Sequence, residues 1–132
     1  SSTKIKTTNR YFNYIYVRMG AHTLIHKRTE DDIWKNLFEL PLVETEKDLS
    51  EEEFLACSQF HALFAEGEVR MVRTLLRGVK HVLSHRVIYT NFYEVTLPDN
   101  SSSFSSYQRV AVEDLGRYAV PRLIHAFLEK YV

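Results

Sequence analysis

The sequence predicts an α+β domain in which a mixed β-sheet is packed by helices. Three observations carry this. Aromatic and β-branched runs of strand character lie on both sides of a helical pattern, and a second helical pattern closes the chain. Two of those runs, Val69–Val82 and Arg86–Leu97, flank a short polar turn, as in a hairpin. Segments beginning at Ser50 and at Pro121 repeat apolar residues every three to four positions. The length of 132 residues suits one domain with one core, and a hydrophobic content of 45% is ordinary for a globular protein.

Residues 1–9 read as an interdomain linker or an artificial end, and 10–132 as the domain. The first eight residues are polar and lack an initiating Met, so the chain reads as a piece of something longer without a signal peptide. Arg10–Met19 sets Tyr11, Asn13, Ile15 and Val17 against Phe12, Tyr14 and Tyr16, the pattern of a strand with at least one buried face. Gly20 and Ala21 turn the chain, and His22–Arg28 reads as the second strand of a hairpin. Thr29–Asp32 is a loop. Ile33–Pro41 reads as a turn and a short strand that Pro41 stops.

Ser50 and Glu53 form a capping-box pair, and Glu51 and Glu52 suit the positive end of a helix dipole. Phe54, Cys57, Phe60 or His61, and Phe64 predict one buried stripe on a helix that Gly67 ends. Cys57 reads as a small core residue. Pro98–Ser103 is a solvated loop, and Phe104–Val112 holds one more strand. Pro121 opens the last helix, whose apolar face is Leu123, Ile124, Phe127, Leu128 and Tyr131.

Charge is segregated, although it sums to zero. Residues 44–53 carry Glu44, Glu46, Asp48, Glu51, Glu52 and Glu53 against Lys47 alone. From Val69 to Tyr93 there is no acid, while Arg70, Arg73, Arg77, Lys80 and Arg86 add five positive charges. Such a run on a chain with 17 acids points to a polyanion-binding face. Its densest part is the predicted hairpin tip, with Lys80, His81, Ser84, His85 and Arg86. A Ser hydroxyl at a turn both donates and accepts, and flanking Lys, Arg and His reach phosphate oxygens and fix register.

Other chemistries fit less well. His81 and His85 are four apart but on strand and turn rather than on one helix face, so no metal site is expected. Ser84 and His85 are adjacent on an extended backbone and point apart, which disfavours a nucleophile–base pair. The lone Cys57 excludes an internal disulfide and any site of several thiolates. No apolar run approaches the ~20 residues of a membrane span, so no membrane partner is expected and the reading is cytoplasmic.

Three short segments then resemble one family, in the right order. Lys80-His81-Val82-Leu83-Ser84-His85 resembles the His-x-Phe-Ser-His turn in the C-terminal domain of MutY-type adenine DNA glycosylases. Asp32–Pro41 resembles that domain's Gly-Leu-Trp-Gly-Gly-Leu-Trp-Glu-Phe-Pro segment, and Tyr118-Ala119-Val120-Pro121 its closing segment. Leu83 stands where the family has Phe, which weakens stacking at the tip. Lys35 and Asn36 stand where it has two glycines, which makes that loop less permissive.

The resemblance implies a Nudix-like fold and a domain that senses 8-oxoguanine opposite the adenine to be excised. On that match Leu83, Ser84 and His85 recognise the lesion, Ser84 reading the base and His85 a phosphate. Lys80, His81, Arg86 and Arg77 would hold the DNA backbone. Guanine offers an acceptor at N7, whereas 8-oxoguanine offers an N–H there beside a new carbonyl. One contact answering that change is worth roughly 1–3 kcal/mol of discrimination. The partners implied are double-stranded DNA with an 8-oxoguanine:adenine pair and the parent's own N-terminal catalytic domain.

That domain would flip and excise the adenine and would hold the parent's iron–sulfur cluster. This segment is expected to be non-catalytic, without cofactor or metal, monomeric, and nucleoid-associated in a bacterium. The rival reading is a Nudix hydrolase acting on a nucleoside diphosphate derivative. It needs an Arg-Glu-x-x-Glu-Glu-x-Gly helix, whereas the corresponding segment is Ser50-Glu51-Glu52-Glu53-Phe54-Leu55-Ala56-Cys57-Ser58-Gln59. A third reading is a protein-interaction domain using the aromatic strands.

Overall fold

The computed structural model describes residues 7–132; residues 1–6, the greater part of the expected leading linker, lie outside them. The elements are β1 (Thr8–Arg18), β2 (His22–Lys27), β3 (Phe38–Glu39), β4 (Leu42–Thr45), α1 (Glu51–Ala56), α2 (Ser58–His61), β5 (Met71–Leu83), β6 (Arg86–Thr96), β7 (Gln108–Ala111), a 3-10 turn (Val112–Arg117) and α3 (Arg122–Tyr131). The fold is α+β, as expected, with a four-stranded sheet in the order β4-β1-β6-β5 and a three-stranded sheet β3-β2-β7. The four-stranded sheet is mixed because β1 runs parallel to β6 and antiparallel to β4, whereas the three-stranded sheet is antiparallel throughout.

β1 is the spine. Phe12 through Val17 are each 1% exposed or less, so both faces are buried rather than one. Phe12 and Tyr14, with Ile88 and Phe92 of β6, pack against Leu123, Ile124 and Phe127 of α3. The Phe92 and Phe127 rings stack at 4.1 Å. Ile15 and Val17, with Tyr93 and Val95, pack against Phe54 of α1 and Phe60 of α2 on the other face. Each such aromatic contributes roughly 1.5–3 kcal/mol through burial.

Three expectations change. The β1–β2 hairpin separates after one bridge, Met19↔His22, because β4 and β6 occupy both edges of β1. β2 therefore joins β3 and β7 in the second sheet. The helix from Ser50 does not continue to Gly67. Its capping box is present, but the chain turns extended at Cys57 (ψ 151°) before α2 begins. Phe54 and Phe60 explain the break. On one continuous helix they would point about 120° apart, yet both are buried and their rings meet edge-on at 5.2 Å. His61 stays exposed. The loop after Pro98 is also tethered, since Ser101, Ser102 and Ser103 donate hydrogen bonds to the Glu68 carboxylate.

Candidate nucleic-acid interface

β5 and β6 form a long antiparallel hairpin whose last pair is Leu83↔Arg86, so Ser84 and His85 alone make the turn. Neither has a positive φ, so the turn is not of the mirror-image types usual for two-residue hairpins. It is held from outside instead. The Thr8 backbone N–H donates to the His85 carbonyl at 3.0 Å, where the parallel pairing of β1 with β6 begins. Ser84 and His85 are exposed, and their side chains make no hydrogen bond among the described residues.

Alternation along β5 sorts the remaining candidates. Leu83 and His81 share the α3 side of the sheet. Leu83 is half-buried against that core, and the His81 ring meets Trp34 edge-on at 6.1 Å. Lys80 and Val82 face outward, and Val82 is 66% exposed. Arg86 is half-exposed and donates to Asp32 at 3.4 Å. The structure thus gathers Lys80, His81, Leu83, Ser84, His85 and Arg86 at one end of the hairpin.

Arg77 is not among them. It lies within the register shift between Leu76 and Val79 of β5, roughly 20 Å from the tip at the usual strand rise. Its guanidinium is also engaged, donating to the Tyr93 hydroxyl and to the Leu49 carbonyl at 2.8 Å, with Asp48 at 3.8 Å. The acid-free stretch of sequence thus meets the acidic stretch of residues 44–53 in space, and Arg77 pairs there.

A loop distant in sequence comes up beside the tip. Ile33, Leu83, Ser84, His85 and Arg86 line a cavity of about 250 Å³. The loop is closed at its base by Arg28, whose N–H donates to Leu37 O at 2.9 Å and whose carbonyl accepts from Asn36 N–H at 2.6 Å. Trp34 (φ 58°) and Asn36 (φ 71°) both take left-handed backbone. Asn tolerates this, whereas Trp pays roughly 1–2 kcal/mol in steric strain. The strain is offset by packing, with Trp34 edge-on to Phe12 at 5.9 Å.

Asp32 is the electrostatic hub of this loop. It accepts two hydrogen bonds from Arg10 at 2.8 and 2.9 Å and one from Arg28 at 2.9 Å, besides the contact with Arg86. Arg10 first, then the Ile33 amide and Arg28, hold its carboxyl down at about 2. Arg28 also ties Asp32 to the buried Glu39, which accepts from Tyr14 at 2.9 Å and faces His26 at 3.0 Å. Burial, then the charge of Glu39, keep the Tyr14 hydroxyl well above its usual range. Sequence reasoning did not place this loop beside the tip: Ile33 and Ser84 are 51 positions apart, and no local pattern joins them.

Other cavities lie elsewhere. One of about 540 Å³ is lined by Phe60, Phe64 and Val72, and Val72 is at the opposite end of β5 from the tip. Among the described residues no group of three or more His, Cys, Asp or Glu side chains is placed to hold a metal ion. No helix among them is long and apolar enough to cross a membrane.

The chain belongs to the NUDIX domain family, whose model matches residues 13–130. Among solved structures it is similar to the C-terminal domain of mouse MUTYH, in its complex with human PCNA. That likeness has a TM-score of 0.66 at 15% identity over 92% of this chain and 86% of that one. It is also similar to a MutT protein from Methanosarcina mazei Go1, with a TM-score of 0.61 at 16% identity over 96% and 95% of the two chains. A third likeness is the E. coli ORF135 protein, at 0.59 and 14% identity over 93% and 88%. At such identities the likeness is one of fold. Among curated proteins no significant match to the chain was found.

Proposed function

We propose that this domain senses 8-oxoguanine opposite adenine in duplex DNA, for an adenine DNA glycosylase whose catalytic domain lies outside this segment. The observation that carries the reading is the exposed Ser84–His85 turn, the part that resembles the MutY-type tip. It is unpaired, fixed by Thr8, and flanked by Lys80 and Arg86. A hydroxyl so placed answers the N–H and carbonyl that oxidation adds to guanine, while Lys80, His85 and Arg86 reach phosphates. The likeness to the MUTYH domain agrees in fold. Arg77 drops out of the phosphate-binding set, because Asp48, Leu49 and Tyr93 engage it.

The hydrolase reading rests on the likeness to MutT and needs carboxylates gathered to hold magnesium. Here Glu51, Glu52 and Glu53 sit together in the first turn of a six-residue helix, where they serve its positive end. A nucleotide-hydrolysis assay with magnesium tests it.

The direct test is a titration of the 132-residue chain with two duplexes differing only in guanine or 8-oxoguanine opposite adenine. Amides of residues 80–86 are expected to respond differently to the two, and Ser84→Ala with His85→Ala to erase the difference. Identical responses from wild type would sink the reading.

A further inference from the structure

A lone hydroxyl in water is a weak discriminator. Its hydrogen bond to a base replaces one to solvent, so the net gain is small, and it grows when water is excluded around it. In the MutY-type turn an aromatic residue precedes the Ser. Here Leu83 stands there, half-buried and without an aromatic face to offer. The surface that dries the Ser84 hydroxyl has to come from another element.

The geometry points to Ile33 as that surface and as a further specificity residue of this site. We infer that Ile33 and Leu83 form two apolar walls that receive the altered purine's edge beside Ser84. The inference rests on the reading under Proposed function. Ile33 lines the tip cavity together with Leu83, Ser84, His85 and Arg86. The cavity's 250 Å³ falls below the roughly 300–1,000 Å³ of pockets that engulf a small ligand, so it suits the edge of a base held by its own duplex.

Ile33 is also held in place. Its carbonyl accepts from Arg28 Nε at 3.0 Å, and the neighbouring Asp32 is fixed by Arg10 and Arg28. The left-handed Trp34 that follows is the kind of strained residue a fold retains where it fixes a neighbour. Arg86, directed by Asp32, closes one side of the cavity with a positive charge suited to the adjoining phosphate.

The test is competition binding of the 132-residue chain to the same two duplexes. Ile33→Ala is expected to lower the preference for the 8-oxoguanine duplex by up to about tenfold, because water then competes for the Ser84 hydroxyl. Affinity for the undamaged duplex and its salt dependence are expected to stay as in wild type. Ile33→Leu should retain the preference. Ile33→Thr, which keeps the branched shape but wets the wall, should lose it.

An unchanged preference in both Ile33→Ala and Ile33→Thr overturns the inference, as does an equal loss for both duplexes, which marks a merely loosened loop. If Ser84→Ala abolishes the preference while the Ile33 variants keep it, the lesion-sensing reading stands and this inference fails. If wild type shows no preference, both fail.

Discussion

Asp32 carries one charge and answers three guanidinium groups, those of Arg10, Arg28 and Arg86. Its carboxyl lies at about 2, below the usual 3.8, so the folded state binds its proton less tightly than the unfolded chain does. A depressed carboxyl stabilises the fold above its unfolded value and loses that contribution as pH falls through its folded one. Asp32→Asn is therefore expected to be less stable than wild type near neutral pH. The cost is about 1 kcal/mol, since the side chain is 24% exposed and water screens the pairs. The gap should close as pH falls from about 4 to about 2. Thermal denaturation of both proteins across that window measures it, and a gap that stays constant would show that the carboxylate charge contributes nothing. The place of Ser84 at an exposed turn was legible because a polar turn between two apolar runs is a local pattern. For Arg77 the sequence shows the charge but not that Tyr93, Leu49 and Asp48 engage it.

At the scale of the element, the β5–β6 hairpin is the part most fully read from sequence, since its β-branched runs and turn signal needed no distant partner. Its irregularity was not foreseen. Between Thr74 and Val79 the register shifts twice, and Gly78 adopts φ 70° within the second shift. The Gly78 N–H donates at 2.8 Å to Asn91 Oδ1, itself part of a buried amide pair with Asn13. No heavy atom lies within 4 Å of a Cβ added at Gly78, so a side chain there meets conformational strain alone. Gly78→Ala is expected to lose about 1 kcal/mol by urea denaturation, with an unaltered m-value. A neutral result would mean that the shift relaxes without cost. The break at Cys57 teaches the same lesson from a helix: a stripe at three- to four-residue spacing was read as continuous, whereas packing Phe54 and Phe60 on one sheet face required two short helices.

Across the whole molecule, zero net charge conceals a separation that folding partly cancels and partly keeps. Arg77 meets Asp48, Arg73 meets Glu94 at 2.7 Å, and Arg10 meets Glu44 at 2.7 Å, while Lys80 remains exposed at the tip. DNA binding by the chain is accordingly expected to be weak and salt-dependent, with about two to three phosphate contacts and a slope of log K against log salt near −2 to −3. Lys80→Ala should lower affinity for all duplexes alike and reduce that slope by about one, whereas Arg77→Ala should leave it unchanged. Salt titrations monitored by anisotropy decide between these, and an equal effect of Arg77→Ala would return that residue to the interface.

The sequence by itself determined the fold class, the helix start at Ser50, the long hairpin and the residues at its tip. These follow from periodicity, capping and turn chemistry, which act over a few positions. Only the tertiary structure decided that β1 and β2 part into different sheets, that Arg77 turns away from the tip, and that Ile33 and Asp32 come up beside Ser84. Those outcomes depend on which strand edges are already paired and which side chains meet across tens of residues, and no local pattern encodes them.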